Sequence, residues 1–463
     1  MTGRSRGVID LNGKNETIAG TGGSLTLVLG DASSAQVLTG SGTLTLPQTP
    51  TLSGTFEGTT TAGSPGAVLG SAGGTVVFGT TALTLNVPNS NALVDLAINA
   101  NVPGLTSLTK SGAGTLALAG TTSVSGNTTL SAGELMVIGT LNTAAIPATA
   151  SGTVLSGTGT INAPVTLGGI LSPGAPGYPT AAQAGSNTGI LTTGNLTFNS
   201  GSTYRVTVNA GPITPGTTHD QVNVTTNNVT INSGADIQVD PVSTFVSTGG
   251  GTPITIINSP ATAPPISGTF SSLPQGGSLV VNGVTTRAFY DGGPTGGDNN
   301  LVLIEGFTAT GTSGDDVFEI RRDADDTIVV LLNGNPVAPS PVPFNTVVSW
   351  TINGLEGNDT LLVNYGGGGG FFSFPVTFNG GGQSGDQLNV TGGTFTTVTD
   401  NLGLAQITYN TGSQTGQVNY SGVARVNLGA GPTPSTIQNL VLQLPTTPPA
   451  PETRNDAILE DDG

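Results

Sequence analysis

Between Leu108 and Gly174 the chain states one phrase three times: LTKSGAGTLALAG at Leu108–Gly120, NTTLSAGELMVIGTLN at Asn127–Asn142, and SGTVLSGTGTINAPVTLGGILSPG at Ser151–Gly174. Each phrase alternates apolar with small polar residues and ends at a corner containing glycine. Alternation with a period of two is the pattern of a strand. A unit of about twenty residues cannot bury an apolar face by itself and must stack on the next copy, which is how a solenoid forms. The expected fold class is therefore all-β, a right-handed parallel β-helix followed by a second β-rich region. Leu116, Leu118, Leu130, Leu135 and Val137 recur at matching places in the phrases and are expected to stack inside one column.

Composition decides between this fold and disorder. Glycine accounts for 73 of 463 residues and proline for 30, with only 8% charged, against about 25% in ordinary domains. Disordered chains combine low hydrophobicity with high charge. Here hydrophobic residues make up 35% and Val, Ile, Leu and Thr are dense, which is a β-rich composition. Gly or Pro interrupts nearly every window long enough for a helix. No apolar run approaches the roughly 18 residues that span a bilayer. The chain has no cysteine, which excludes disulfides, thiolate metal sites and cysteine nucleophiles. The opening, MTGRSRGVIDLNGKNETIAG, lacks the apolar stretch of a secretory signal and enters repeat-like sequence by Val8. A piece of a larger protein, with its export signal elsewhere, is expected.

The order of the phrases resembles the autotransporter-associated β-strand repeat of bacterial surface proteins. The resemblance spans roughly residues 8–305: VIDLNGKNETIAG opens it, and ISGTFSSLPQGGSLVVNGVTTRAFYDGGPTGGDNNLVLIE closes it at Glu305. It implies a passenger-like β-helix, secreted or at the cell surface of a bacterium, with a stalk, display or adhesive role. The implied partners are cell-surface glycans or proteins. The expected organisation is degenerate rungs over 1–107, the clear repeats and closing segment over 108–305, a second β-rich region over 306–444, and a Pro-rich acidic linker over 445–463. The Pro/Gly-rich stretch 172–186 reads as a loop or bulge between rungs. Rungs of about 20–25 residues stacked about 4.8 Å apart would make residues 1–305 a rod of about 60–70 Å.

After Glu305 the grammar changes. Ile328, Val330 and Leu332 alternate ahead of Asn333–Gly334, which reads as a hairpin. Val348, Trp350 and Ile352 are expected inward, with Ser349 and Thr351 outward. Further strands are expected at 374–378, 388–391 and 407–409. This region either continues a solenoid or forms a sandwich. Net charge is uneven: residues 1–305 hold 12 acids against 6 bases (net −6), and residues 306–463 hold 15 against 4 (net −11). Neither part offers the basic footprint needed for nucleic acid or for an anionic membrane surface.

Candidates for chemistry are few. The only histidine, His219, adjoins Asp220, but no G-x-S-x-G elbow accompanies it. A surface or strand-edge side chain is the expectation there. Asp323, Asp325 and Asp326 lie beside Arg321 and Arg322, which would hold them ionised at a solvated hairpin end rather than poise a polysaccharide-cleaving pair. Calcium is the more serious candidate. Gly354–Leu361, Gly311–Phe318 and Gly381–Leu388 are similar to the G-x-x-G-x-D-x-L turn of RTX repeats, with Ser384 replacing the second glycine in the last. That resemblance implies Asp316, Asp359 and Asp386 as oxygen ligands. Their uneven and wide separations along the chain break the tandem nonapeptide pattern, so strand-capping turns and no cofactor are expected. Neither lysine follows phosphate-loop spacing. Phe371 and Phe372, after the Gly366–Gly370 run, are expected to pack in a core rather than offer a sugar platform. The expected role is structural or adhesive, without catalysis, in a monomeric segment. The alternatives are a polysaccharide-acting enzyme and a calcium-stabilised extracellular module.

Overall fold

The alternating phrases become parallel strands in the computed structural model. It describes residues 8–18, 26–29, 35–46, 51–54, 66–90, 92–175, 188–208, 214–226, 228–241, 253–260, 265–281, 284–292, 299–428 and 434–444. The expected linker over 445–463, and 176–186 of the expected loop, lie outside them. The chain divides into two compact units, one of Met1–Val246, Ile254–Val284 and Ala288–Leu303, the other of Ser247–Pro253, Thr285–Arg287 and Ile304–Gly463.

The first unit is a parallel β-helix. One ten-stranded sheet takes Val8–Asp10, Ala35–Leu38, Ala67–Leu69, Leu96–Ile98, Thr115–Leu118, Glu134–Val137, Val154–Gly157, Ile170–Pro173, Thr203–Val208 and Asp236–Pro241 in chain order. A second ten-stranded sheet begins Val102–Leu105, Thr121–Val124, Thr140–Asn142 and Thr160–Asn162. Three short sheets, among them Ala82–Asn86, Ser107–Ser111 and Thr128–Leu130, form the remaining side. From Leu96 to Asn258 each turn of chain thus contributes one strand to each long sheet before returning to the first, whereas the second strands of the first three turns, Glu16–Thr17, Thr43–Leu46 and Thr75–Phe78, form a short sheet of their own.

Register makes the core. Leu96, Leu116, Leu135, Leu155, Leu171, Tyr204 and Ile237 pair successively across the first sheet, and all are buried. Burying each large side chain is worth about 1.5–3 kcal/mol, and each is worth that only if the neighbouring rung is in place. Leu118 and Val137 stack beside this column. Leu130 does not, which corrects the single-column expectation: it belongs to a short third-side sheet, where it pairs with Lys110. Both positions are inward, but on different walls.

The rung length is also corrected. The steps from Leu96 through Leu116, Leu135 and Leu155 to Leu171 lie at or below the short end of the expected range. Those from Leu171 to Tyr204 and on to Ile237 lie well beyond its long end. Ten strands at about 4.8 Å give about 43 Å over residues 8–241 alone. The stacking leaves no room at some corners. Gly157 has φ +123°, and a Cβ there would lie 1.9 Å from the Val137 carbonyl oxygen, so only glycine fits.

The outer faces explain the low charge. Thr121, Thr140, Thr160 and Thr192 align on successive strands of the second sheet. Asn162 Nδ2 donates to Asn142 Oδ1 at 2.8 Å one rung away. Neighbouring rungs thus satisfy one another without ions.

The second unit stacks in parallel as well and is not a sandwich. Phe307–Thr310, Trp350–Asn353, Val376–Asn379 and Thr415–Ser421 pair in parallel. So do Val317–Arg322, Thr360–Asn364, Gln387–Thr391 and Arg425–Leu428. Among the described residues from Phe307 on, antiparallel pairing falls in two insertions, Thr327–Leu332 with its neighbours and the meander Thr397–Asn401, Gln406–Asn410, Thr415–Ser421. The turn at Asn333–Gly334 has φ +51° and +81°, as an Asn-Gly hairpin requires. Val348, Trp350 and Ile352 are buried, as their alternation predicts, and Phe372 is buried and stacked on Phe374 with centroids 4.8 Å apart.

Candidate functional site

The second unit brings Asp316, Asp359 and Asp386 into one column. Val317, Thr360 and Gln387 are register partners on three successive strands, so the residue before each faces the same corner. The uneven separations, from Asp316 to Asp359 and from Asp359 to Asp386, are the rung steps themselves. The first is the longer because the hairpin built on Thr327–Leu332 enters within it. A pattern that looks broken along the chain is continuous across the stack.

The carboxylates are almost entirely buried, at 1%, 0% and 0% exposure. Asp316 N–H donates to Asp359 Oδ1 at 2.9 Å, and Asp359 N–H donates to Asp386 Oδ1 at 2.8 Å. In return Thr360 N–H and Gln387 N–H donate to the Asp316 and Asp359 carbonyl oxygens, each at 2.8 Å. The fourth rung brings Ala424 N–H to the Asp386 carbonyl. Every aspartate therefore ties its own rung to the next.

Their environments differ. Asp316 Oδ2 accepts from the Thr312 N–H (2.5 Å) and hydroxyl (3.0 Å), and Oδ1 accepts from Asn333 Nδ2 at 2.7 Å. Burial pushes this carboxyl up, but those donors outweigh it and hold it below the usual carboxylate range. Asp359 and Asp386 keep Oδ2 without a hydrogen-bond partner. Burial pushes Asp359 up, the Asp316 N–H opposes it, and the charges of Asp386, Asp316 and Asp315 push it further. Gly354 makes room for this oxygen: a Cβ there would be 2.2 Å from Asp359 Oδ2.

Calcium takes six to eight oxygens at one point. Oδ1 of Asp359 and of Asp386 is turned to an N–H of the adjoining rung and that of Asp316 to Asn333 Nδ2, while Oδ2 of Asp359 and of Asp386 has no hydrogen-bond partner; among the described residues no group of three or more His, Asp or Glu is arranged to hold a metal ion.

The histidine is a correction. His219 is 1% exposed, not at the surface. Its Nε2 donates to the Thr255 carbonyl at 3.0 Å, which leaves Nδ1 to accept from the Thr218 hydroxyl at 3.2 Å. Burial lowers its pKa to about 4, so the ring is neutral at pH 7. Asp220 is buried beside it but faces elsewhere: Gly189 N–H donates to Oδ1 at 2.8 Å and Thr207 N–H to Oδ2 at 2.7 Å. Burial pushes Asp220 up to about 7 against those donors. Neighbours in sequence thus hold different strands and do not form a dyad. Asp323 and Asp326 are paired with Arg321 (2.7 Å) and Arg322 (2.5 Å), and Asp325 with Thr327, at the hairpin end expected for them.

A polar cluster in the first unit escaped the sequence reading. Lys110 is wholly buried between Leu85 and Leu130 of adjacent rungs. Its Nζ donates to the carbonyl oxygens of Ser111 (3.0 Å), Gly112 (2.8 Å) and Ala132 (3.0 Å). Burial lowers its pKa to about 8, against the attraction of Asp95 and Glu134. Asp95 accepts from Thr115 N–H at 2.7 Å, and Glu134 accepts from the Thr115 hydroxyl at 3.3 Å and from Ser156. The signal was present: Leu108 and Lys110 are two apart in one strand and so share a face. Neither a scan of protein-family models nor a search of curated proteins found a match for this chain.

Proposed function

We propose that this chain is a structural or adhesive segment of a large secreted or cell-surface bacterial protein, a stalk or display surface without catalysis. One observation carries the reading. The buried charges are bound to backbone groups that join rungs: Lys110 to three carbonyls, Asp220 to two N–H groups, and the aspartate column to its own neighbours. Groups held this way lock a stack together and are not poised to meet a substrate. Stability in such a stack grows by nearest-neighbour terms, which suits a long exposed element. Charge-poor Thr and Asn faces offer hydroxyl and amide groups to surface glycans or proteins. Incubation with a panel of polysaccharides and ester substrates tests the reading. Background rates are expected, and turnover abolished by His219→Ala or Asp325→Asn would sink it.

A further inference from the structure

We propose that the last rung of the second unit is a self-association edge, at which two copies of the chain join by antiparallel pairing of their Leu440–Gln443 strands. Six of the eleven exposed large apolar side chains among the described residues gather there: Leu404 at 69% exposure, and Leu402, Leu440, Val441, Leu442 and Leu444 at 36–45%. The strand Leu440–Gln443 is the end of its seven-stranded sheet, paired on one side with Thr397–Asn401. Leu402 and Leu404 extend the patch, since Leu402 N–H donates to the Gln443 carbonyl at 3.0 Å and Leu404 N–H to the Asn401 carbonyl at 3.1 Å. Single exposed leucines are ordinary, whereas a contiguous patch marks an interaction surface.

The backbone decides how that surface is met. The carbonyls of Asn439 and Gln443 accept from the N–H groups of Val398 and Leu402. Bonded and open residues alternate along a parallel ladder, so the N–H and C=O of Leu440 and Leu442 face the open side. Their side chains continue the positions of Val398 and Asp400, both buried. An added strand would therefore bond the edge and close the end of the core together.

Open edges are normally guarded by charge or proline. The first rung of the other unit follows that rule: Asp10 lies on its edge strand, and exposed Glu16 takes the position paired with buried Leu44. Leu440–Gln443 has neither guard, and Arg425 is the only charged residue from 425 to 444. Charge also selects the occupant. Residues 306–463 hold 15 acids against 4 bases, a net of −11, so a basic partner would be drawn to those acids and not to this edge. An uncharged edge suits another uncharged edge, and a second copy supplies one that fits. With a two-fold axis at Val441, Leu440 of one copy lies opposite Leu442 of the other, and both offer open N–H and C=O groups. Each such pair exchanges two backbone hydrogen bonds across an isologous joint.

Sedimentation equilibrium of the full chain over a concentration series tests the pairing. The mass is expected to double and to stop at two copies. Leu442→Pro removes an open-side N–H and leaves the ladder to Thr397–Asn401 intact. It should stay a monomer while the fluorescence of Trp350, the only tryptophan and buried in this unit, reports a melting midpoint near the parent's. Hydrogen exchange of the unmodified chain gives a second reading and decides alone if the variant does not fold: the amides of Leu440 and Leu442 should slow as the mass doubles. A chain that stays monomeric overturns the proposal, whether its own residues 445–463 or a different protein covers the edge. Growth beyond two copies, an undiminished dimer in the folded variant, or unchanged exchange at Leu440 and Leu442 overturns it as well.

Discussion

Lys110→Met should make the first unit indifferent to alkali. The unmodified ammonium is buried against three carbonyl oxygens and its pKa is lowered from 10.5 to about 8. In the unfolded chain the lysine stays protonated to pH 10 and beyond, so between pH 8 and 9.5 the unfolded state binds more protons and stability rises with pH. With those two values, the gain between pH 8 and 9.5 is about 1.5 kcal/mol. For a unit near three hundred residues, with a urea slope of about 3 kcal/mol/M, the midpoint moves up by about 0.5 M. Met fills the same space beside Leu85 and Leu130 but cannot donate. The Ser111 carbonyl keeps the Val87 N–H, while the carbonyls of Gly112 and Ala132 lose the ammonium that holds them. Orphaned carbonyls cost about 1–3 kcal/mol each, offset in part by no longer burying a charge. The variant should therefore be less stable at pH 8 and show no alkaline gain. Urea titrations followed by far-UV circular dichroism, with Trp350 fluorescence marking the second unit, measure both. Tyrosine ionisation is common to both proteins and cancels. A parent midpoint that is flat or falling from pH 8 to 9.5 relative to Lys110→Met would refute the reasoning.

Leu135→Ala, in the middle of the first-sheet column, should cost about 2–5 kcal/mol, because rungs on both sides hold the cavity open; urea unfolding measures it. Asp220 is pushed up to about 7 by burial, so its contribution is full below the ordinary carboxylate range and drains away as pH rises to about 7. Asp220→Asn should remove that slope and, at pH 5, cost about 1–3 kcal/mol, since its amide nitrogen cannot accept from both Gly189 and Thr207 N–H. Loss of stability from pH 5 to 8 that persists unchanged in the variant would rule the assignment out.

Alternation and glycine corners are local, and both were legible. That is why the strands of residues 108–174 and the inward set Val348, Trp350 and Ile352 fall where the sequence places them. Register is not local. Leu130 and Leu135 belong to one phrase yet line different walls, because alternation does not say on which side of the turn a strand lies. Burial of His219 depends on Thr255, far along the chain on another strand. The aspartates illustrate the same limit: spacing along the chain argued against stacking, although an inserted hairpin had only lengthened one step. The pH behaviour of Lys110 was the least legible, since a lysine in an inward position reads as an exception to the pattern rather than as its corner bolt.

That hairpin has a wider consequence. A stack of this kind keeps count of turns, not of residues, so length can be added at a corner without a change of phase anywhere else. The step from Asp316 to Asp359 is much longer than the step from Asp359 to Asp386, yet the ladder continues through both. Corners are then the places where such a chain can gain or lose sequence at little cost, like hooks on a rail whose spacing the rail alone decides.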